Sequence, residues 1–150
     1  MVRLRRYVSA DFDALHALDQ ACFEQGIAYS EQELAFFLMR ESAISIVAED
    51  DVAQPTIVGF VIADLSRPRS GHIITIDVAG SSRRQQVGST LIEAAEAEIQ
   101  RSGRAAVLLE VAVENLAARR FYEKHGYSAL RELRDYYRRG GHAVLMGKNL

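Results

Sequence analysis

The sequence predicts one α/β domain built on a mixed sheet. Three observations predict it. Apolar periodicity switches between helical and strand spacing in the order β-α-α-β-β-β-α-β-α-β-β. Each helical stretch carries its own start or stop signal. No linker, repeat or low-complexity segment divides the 150 residues, a length suited to a single core.

Residues 2–8 (VRLRRYV) read as a first strand. In "SADFDALHALDQACF", Phe12, Leu15, Leu18 and Cys22 recur at three to four residues, a helical stripe that makes Cys22 a core residue. Ser9 is the expected N-cap, with Asp11 and Asp13 early, where the helix dipole favours them. Ser30-x-x-Glu33 reads as a capping box for a second helix carrying Leu34, Phe37 and Leu38. "AISIVAED" and "TIVGFVIADL" are β-rich runs separated by Asp51–Pro55, which predicts a hairpin. "HIITIDV" alternates, which places Ile74, Ile76 and Val78 on one face. Residues 86–101 form a helix with Val87, Leu91, Ala95 and Ile99 inward, stopped by Ser102-Gly103. "AAVLLEVAV" is nearly continuous in apolar residues, as expected of a strand covered on both faces. Asn115–His125 reads as a helix ended by Gly126, and two strand-like runs flank a turn at Gly140-Gly141.

Hydrophobic content of 49% and charged content of 25% are ordinary globular values. A net charge of −2 gives no basic field for nucleic acid, and the arginine pairs at 83–84, 119–120 and 138–139 are local. No basic-aromatic surface pattern points to RNA. Cys22 is the only cysteine, so no internal disulfide can form, which fits a reducing compartment. "MVRLRRYVSADF" lacks the apolar core of a signal peptide, and no apolar run approaches a membrane span. A cytoplasmic protein that binds neither nucleic acid nor membrane is the expectation. His16, His72, His125 and His142 are scattered without metal-ligand spacing, so no metal is expected.

The stretch Arg83–Ser89 runs from a strand into a helix. A helix start exposes N–H groups without intrahelical acceptors, and its dipole favours an anion. Gly88 lets a phosphate approach without a Cβ in the way, and Arg83 and Arg84 add charge-assisted bonds. It is neither a P-loop nor GxGxxG. From these residues alone, plain surface remains the competing reading.

"VAGSSRRQQVGSTLIEAAE" resembles the coenzyme A loop of the GNAT superfamily of N-acetyltransferases, with Arg83, Val87 and Gly88 in register and Gln86 where the first glycine is usual. "LEVAVENLAARRFYEKHGY" resembles the family's later segment through Glu110, Asn115, Ala118, Tyr122, Glu123, Gly126 and Tyr127. "LDQACF" and "YYRRGGHAVLMGKNL" are similar to the branch containing ribosomal-protein alanine N-acetyltransferases. Two departures, Gly141-His142 where acidic residues are common and Ala112 where arginine is common, bear on acceptor choice.

The resemblance implies a mostly antiparallel sheet of about seven strands with four helices. A V-shaped splay would open between strands at about 72–79 and 105–113. It implies one N-acetyltransferase domain over residues 1–150, using acetyl-CoA and no metal. The pantetheine arm would run along Ile76 and Val78. The pyrophosphate would sit on the loop of Arg83, Arg84, Gln85, Gln86, Val87, Gly88 and Ser89. The implied acceptor is a peptide or protein N-terminus, a ribosomal protein among the candidates, served by a monomer or homodimer.

Acetyl transfer to an amine needs a base for the amine, stabilisation of the carbonyl oxygen and an acid for the departing thiolate. An α-amine (pKa about 8) gives up its proton more readily than a lysine (about 10.4). Tyr122 is the candidate general acid, because a phenol of pKa about 10 is protonated at neutral pH; the resemblance places it beside the cofactor sulfur. Glu110 is the candidate base, working through water; its interruption of an apolar run predicts a raised pKa. A cleft-edge structural carboxylate is the alternative. Asn115 either caps its helix or bonds the pantetheine arm. Tyr136 and Tyr137 line the acceptor groove or simply pack in the sheet, and Phe23 and Tyr29 join them from the loop between the first two helices. Lysine or small-amine transfer, and a non-catalytic acyl-CoA-binding or sensing domain, are the competing functions.

Overall fold

The computed structural model describes residues 2–50, 53–83 and 86–150. Among them, seven strands form one sheet: β1 (Val2–Arg6), β2 (Ala43–Asp50), β3 (Thr56–Asp64), β4 (Ser70–Val78), β5 (Ala106–Ala112), β6 (Ser128–Leu133) and β7 (Ala143–Asn149). Their order across the sheet is β1-β2-β3-β4-β5-β7-β6. The β4–β5 pair is parallel and every other pair antiparallel. Four helices, α1 (Phe12–Cys22), α2 (Glu31–Met39), α3 (Val87–Arg101) and α4 (Leu116–Lys124), complete the mixed α/β architecture in the predicted order.

The sheet separates two apolar clusters. α1 and α2 pack Leu15, Leu34 and Leu38 on Val47, Phe60 and Ile62. On the other face, α3 packs Val87, Leu91, Ala95 and Ile99 with Val61, Ile73, Val107 and Leu109. Adjacent Phe60 and Val61 enter opposite clusters, as the strand period demands. The predicted inward stripe of α3 is fully buried.

The Ser30 capping box forms: Glu33 N–H donates to Ser30 Oγ at 3.2 Å, and Ser30 N–H donates to Glu33 Oε1 at 2.9 Å. Ser9 does not cap α1. It opens a 3-10 turn, and the Val8 N–H donates instead to Asp11 Oδ2 at 2.9 Å. A carboxylate is the stronger acceptor and also holds the Arg5 guanidinium through two contacts of 2.8 Å.

Two strand expectations are corrected. β5 alternates: Val107, Leu109 and Val111 are buried, whereas Leu108, Glu110 and Ala112 are half-buried. α1 and α2 pack over the β2–β4 half of the sheet, so the second face of β5 looks into a cleft. In β4, Ile74 does not share a face with Ile76 and Val78. Opposite β3, Ile62 pairs with Thr75 and Ala63 with Ile73, which leaves Ile74 as an extra residue, a β-bulge. The bulge resets the alternation, so Ile76 and Val78 turn toward α3 and Ile74 toward α1 and α2. Cys22 continues the α1 stripe only in part: it is half-buried, its thiol donating to the Val78 carbonyl at 3.4 Å.

Candidate active site

β4 and β5 pair from Ser70–Ala106 to Ile73–Leu109 and no further. Divergence begins beside the Ile74 bulge, which adds local twist to β4. This is the V-shaped splay. Past it, Ile76 and Val78 have no ladder partner on the β5 side. Unpaired backbone groups there seek other partners. The Val78 carbonyl accepts from Arg83 Nε at 3.2 Å and from Cys22 Sγ.

The loop from β4 to α3 sits at this opening. Arg84 and Gln85 lie outside the described residues. Gln86 is the N-cap of α3 in the left-handed region, φ 60° and ψ 22°. Its carbonyl accepts from the Thr90 N–H and hydroxyl, both at 3.0 Å. A side chain in that conformation costs about 1 kcal/mol, which a glycine would not incur. The N–H groups of Val87, Gly88 and Ser89, in the first turn, lack intrahelical acceptors. Gly88 has a further reason to be glycine. A Cβ there would lie 3.3 Å from the Phe121 ring, so Phe121 would have to shift by a few tenths of an ångström to admit it. Ser89 Oγ is 2.9 Å from His125 Nε2, a second tie between the two helices.

Glu110 is the first β5 residue beyond the paired stretch. Its Oε1 lies 2.7 Å from His72 Nε2, and both side chains are largely enclosed. They face a cavity of about 210 Å³, lined also by Tyr29, Ile74 and Tyr136 and by Phe37, Arg40, Asp64, Ser66 and Arg67. The Tyr29 hydroxyl donates to the Ile74 carbonyl at 3.4 Å, and its ring packs 5.3 Å from Phe37. Tyr136 and Tyr137 stand edge to face at 5.0 Å. Burial, then the Glu110 charge, raises both phenols, Tyr137 to about 12. Phe23 and Tyr137 do not line this cavity; Phe23 caps the end of α1.

Tyr122 lies on α4, with its ring 5.3 Å from Phe121 and 5.8 Å from Tyr127. Burial foremost, then Asp77 and Tyr137, pushes its phenol well above the ordinary value, so it holds its proton at neutral pH. Asn115 caps α4, its Oδ1 accepting from the Ala118 N–H at 3.1 Å. Also on the cavity lining, Asp64 accepts from Arg40 Nε at 3.2 Å, from Ser42 and from Ser66. Against the upward push of burial, these donors hold its carboxyl down at about 2. Among the described residues, no group of three or more His, Cys, Asp and Glu could hold a metal ion. No helix among them is long and apolar enough to cross a membrane.

A strand pair that parts at a bulge, next to a helix start and a buried phenol, is the arrangement of a known family, whose model, Acetyltransferase (GNAT), matches residues 12–127. The chain belongs to the GNAT acetyltransferase family. An uncharacterized N-acetyltransferase of Methanocaldococcus jannaschii is similar at 29% identity over 146 residues, 97% of this chain and 90% of the relative. An N-alpha-acetyltransferase of Saccharolobus solfataricus is 35% identical over 83 residues, 55% of this chain and 50% of that enzyme. Among solved structures, the ribosomal-protein-S18-alanine N-acetyltransferase of Escherichia coli superposes with a TM-score of 0.85 at 23% identity, over 99% of this chain and 94% of that one. At that identity the likeness is one of fold.

For this acetyltransferase, the residues that sequence reasoning missed are His72, Ile74, Arg40, Asp64 and Arg67. His72 stands one strand over from Glu110, a proximity that needs the β4–β5 register. Ile74 enters the cavity wall because of the bulge, for which its own residue type gives no signal.

Proposed function

We propose that the chain transfers acetyl from acetyl-CoA directly to the α-amine at a protein N-terminus, with a ribosomal protein among the candidate acceptors. The observation that carries this reading is Glu110 beside His72 at the point where β4 and β5 part, on the wall of a half-open cavity, with Tyr122 buried and protonated. The N-alpha-acetyltransferase named among the relatives supports the acceptor class.

The residues present fit the donor: an open strand edge at Ile76 and Val78, and a helix start with free N–H groups. Acetyl-CoA supplies an activated acyl carbon and a thiolate leaving group. Backbone groups of Ile76 and Val78 bind its pantetheine arm. Arg83, Arg84, Gln85, Gln86, Val87, Gly88 and Ser89 hold its pyrophosphate, and Arg83 must first leave the Val78 carbonyl. Asn115 steadies α4 by its cap and lies beside the arm.

Glu110 takes the acceptor's proton, through water, while the His72 imidazole fixes its orientation. Tyr122 donates the proton that the thiolate needs. Tyr29 and Tyr136 form the acceptor wall, with Tyr137 packed edge to face on Tyr136. A reducing cytoplasm is the compartment we assign to this chemistry, with which a single cysteine is compatible.

Thiol release from acetyl-CoA with two matched peptides tests the proposal. One peptide has a free alanine N-terminus; the other is N-terminally blocked and carries an internal lysine. Turnover with the free N-terminus alone is expected. Turnover with the blocked peptide alone makes the enzyme a lysine acetyltransferase. Silence with both points to small amines, or, if acetyl-CoA still binds, to a sensing domain.

A further inference from the structure

Asp19 on α1 and Asp77 on β4 are buried against each other, 0% and 1% exposed. One oxygen of each is satisfied. Asp19 Oδ2 accepts from the Tyr29 N–H at 2.8 Å, and Asp77 Oδ1 from the Thr75 hydroxyl at 2.6 Å. Asp19 Oδ1 and Asp77 Oδ2 have no donor. Yet the two carboxyls are in hydrogen-bonding contact.

Among the described residues, no cation pairs with either carboxyl. Asp19 and Cys22 face Asp77 from α1, Thr75 from its own strand and Tyr122 from α4. The Arg83 side chain reaches Cys22, but its Nε is held by the Val78 carbonyl. Two bare carboxylates in that environment repel strongly. One proton between the two orphan oxygens removes the repulsion and supplies the missing donor. In keeping with this, burial foremost, then the contact with Asp19, holds the Asp77 carboxyl well above the ordinary range.

We propose that Asp19 and Asp77 share one proton and act as a positioning pair for the acceptor wall. The shared proton pins the last turns of α1 to β4. Asp19 Oδ2 then fixes the backbone of Tyr29, whose ring lines the cavity and whose hydroxyl reaches the Ile74 carbonyl. This rests on the reading of that cavity as the acceptor site. Loss of the proton as pH rises loosens the Tyr29 wall while leaving Glu110 and Tyr122 in place. The cost falls on acceptor KM.

Asp77→Asn is the test. Its amide donates permanently to Asp19 Oδ1 and its oxygen still accepts from Thr75. A group with a raised folded pKa contributes stability that is complete below its unfolded value and lost as pH rises through the folded one. Wild-type Tm therefore falls with rising pH in a way the variant escapes. The variant's lead in Tm should widen by on the order of 5 °C between mildly acidic and alkaline buffer. The ratio of wild-type to variant acceptor KM, which cancels the acceptor's own titration, should rise several-fold over the same range.

Asp19→Asn, which can donate to Asp77 Oδ2, repeats the test and serves if the first variant does not fold. A Tm difference and a KM ratio that stay constant with pH would overturn the pair. A widening Tm lead with a constant KM ratio would overturn the positioning role. If no form acetylates any peptide, the acceptor reading falls, and the Tm comparison decides whether the proton is shared.

Discussion

Glu110 Oε1 and His72 Nε2 lie 2.7 Å apart across the last paired steps of β4 and β5. The contact joins the strand that carries the proposed base to the strand that carries the bulge. Glu110→Gln removes the proton acceptor with little change in shape, and its expected loss in kcat/KM is about 100-fold or more. His72→Gln keeps a donor to Glu110 and should lose less, roughly 10-fold, if the imidazole only orients the carboxylate. Steady-state kinetics at fixed acetyl-CoA separates the two. Near wild-type activity in Glu110→Gln would remove Glu110 from the chemistry.

Tyr122→Phe retains the ring that packs on Phe121 and Tyr127 and deletes only the hydroxyl. We expect a fall in kcat on the order of 100-fold with acetyl-CoA affinity little changed. Tm should move by no more than a few degrees. Full activity in this variant would leave the thiolate to be protonated by solvent.

The left-handed Gln86 predicts opposite outcomes for two glycine exchanges. Gln86→Gly relieves the positive φ and should raise stability by about 0.5–1 kcal/mol, with acetyl-CoA binding at least as tight. Gly88→Ala sets a methyl 3.3 Å from the Phe121 ring and should cost about 1–3 kcal/mol. Chemical denaturation with and without acetyl-CoA reads both.

Asp64 gives a stability signature in acid. Its carboxyl is held down at about 2, so its contribution is complete above the ordinary aspartate value and is lost as pH falls through about 2. That contribution is on the order of 2 kcal/mol. Asp64→Asn should lower Tm at neutral pH, and the deficit should shrink toward pH of about 2. A deficit that ignores pH would mean that the hydrogen bonds of Asp64, and not its charge, hold Arg40 at the cavity.

Much of this was legible in the sequence because periodicity and capping are local. The Ser30–Glu33 box, the α3 stripe and the element order needed only residues a few places apart. Asn115 was legible as a cap for the same reason. Glu110 stood out as a charge in an apolar run, but its partner did not, since His72 lies 38 residues away and meets it only through strand pairing. The covered-strand reading of β5 failed because hydrophobic content alone does not show where α1 and α2 stop. Ser9 lost its place to Asp11 because Arg5, on another element, rewards a carboxylate there. The Asp19–Asp77 contact was hidden in the same way: each residue is unremarkable in its own segment.

The extra residue in β4 has a genetic corollary. Its effect depends on the count of backbone units between Ile73 and Thr75, and hardly on what the intervening side chain is. Substitutions at position 74 should therefore alter the cavity wall and its packing on α1 and α2 but leave the parting of the strands intact. Removing its codon would leave the remaining β3 partners of β4 in register, yet it would let the ladder to β5 run on and shut the jaw between them. The opening between the strands is thus exposed to a single-codon deletion in a way that no substitution at the same site reproduces.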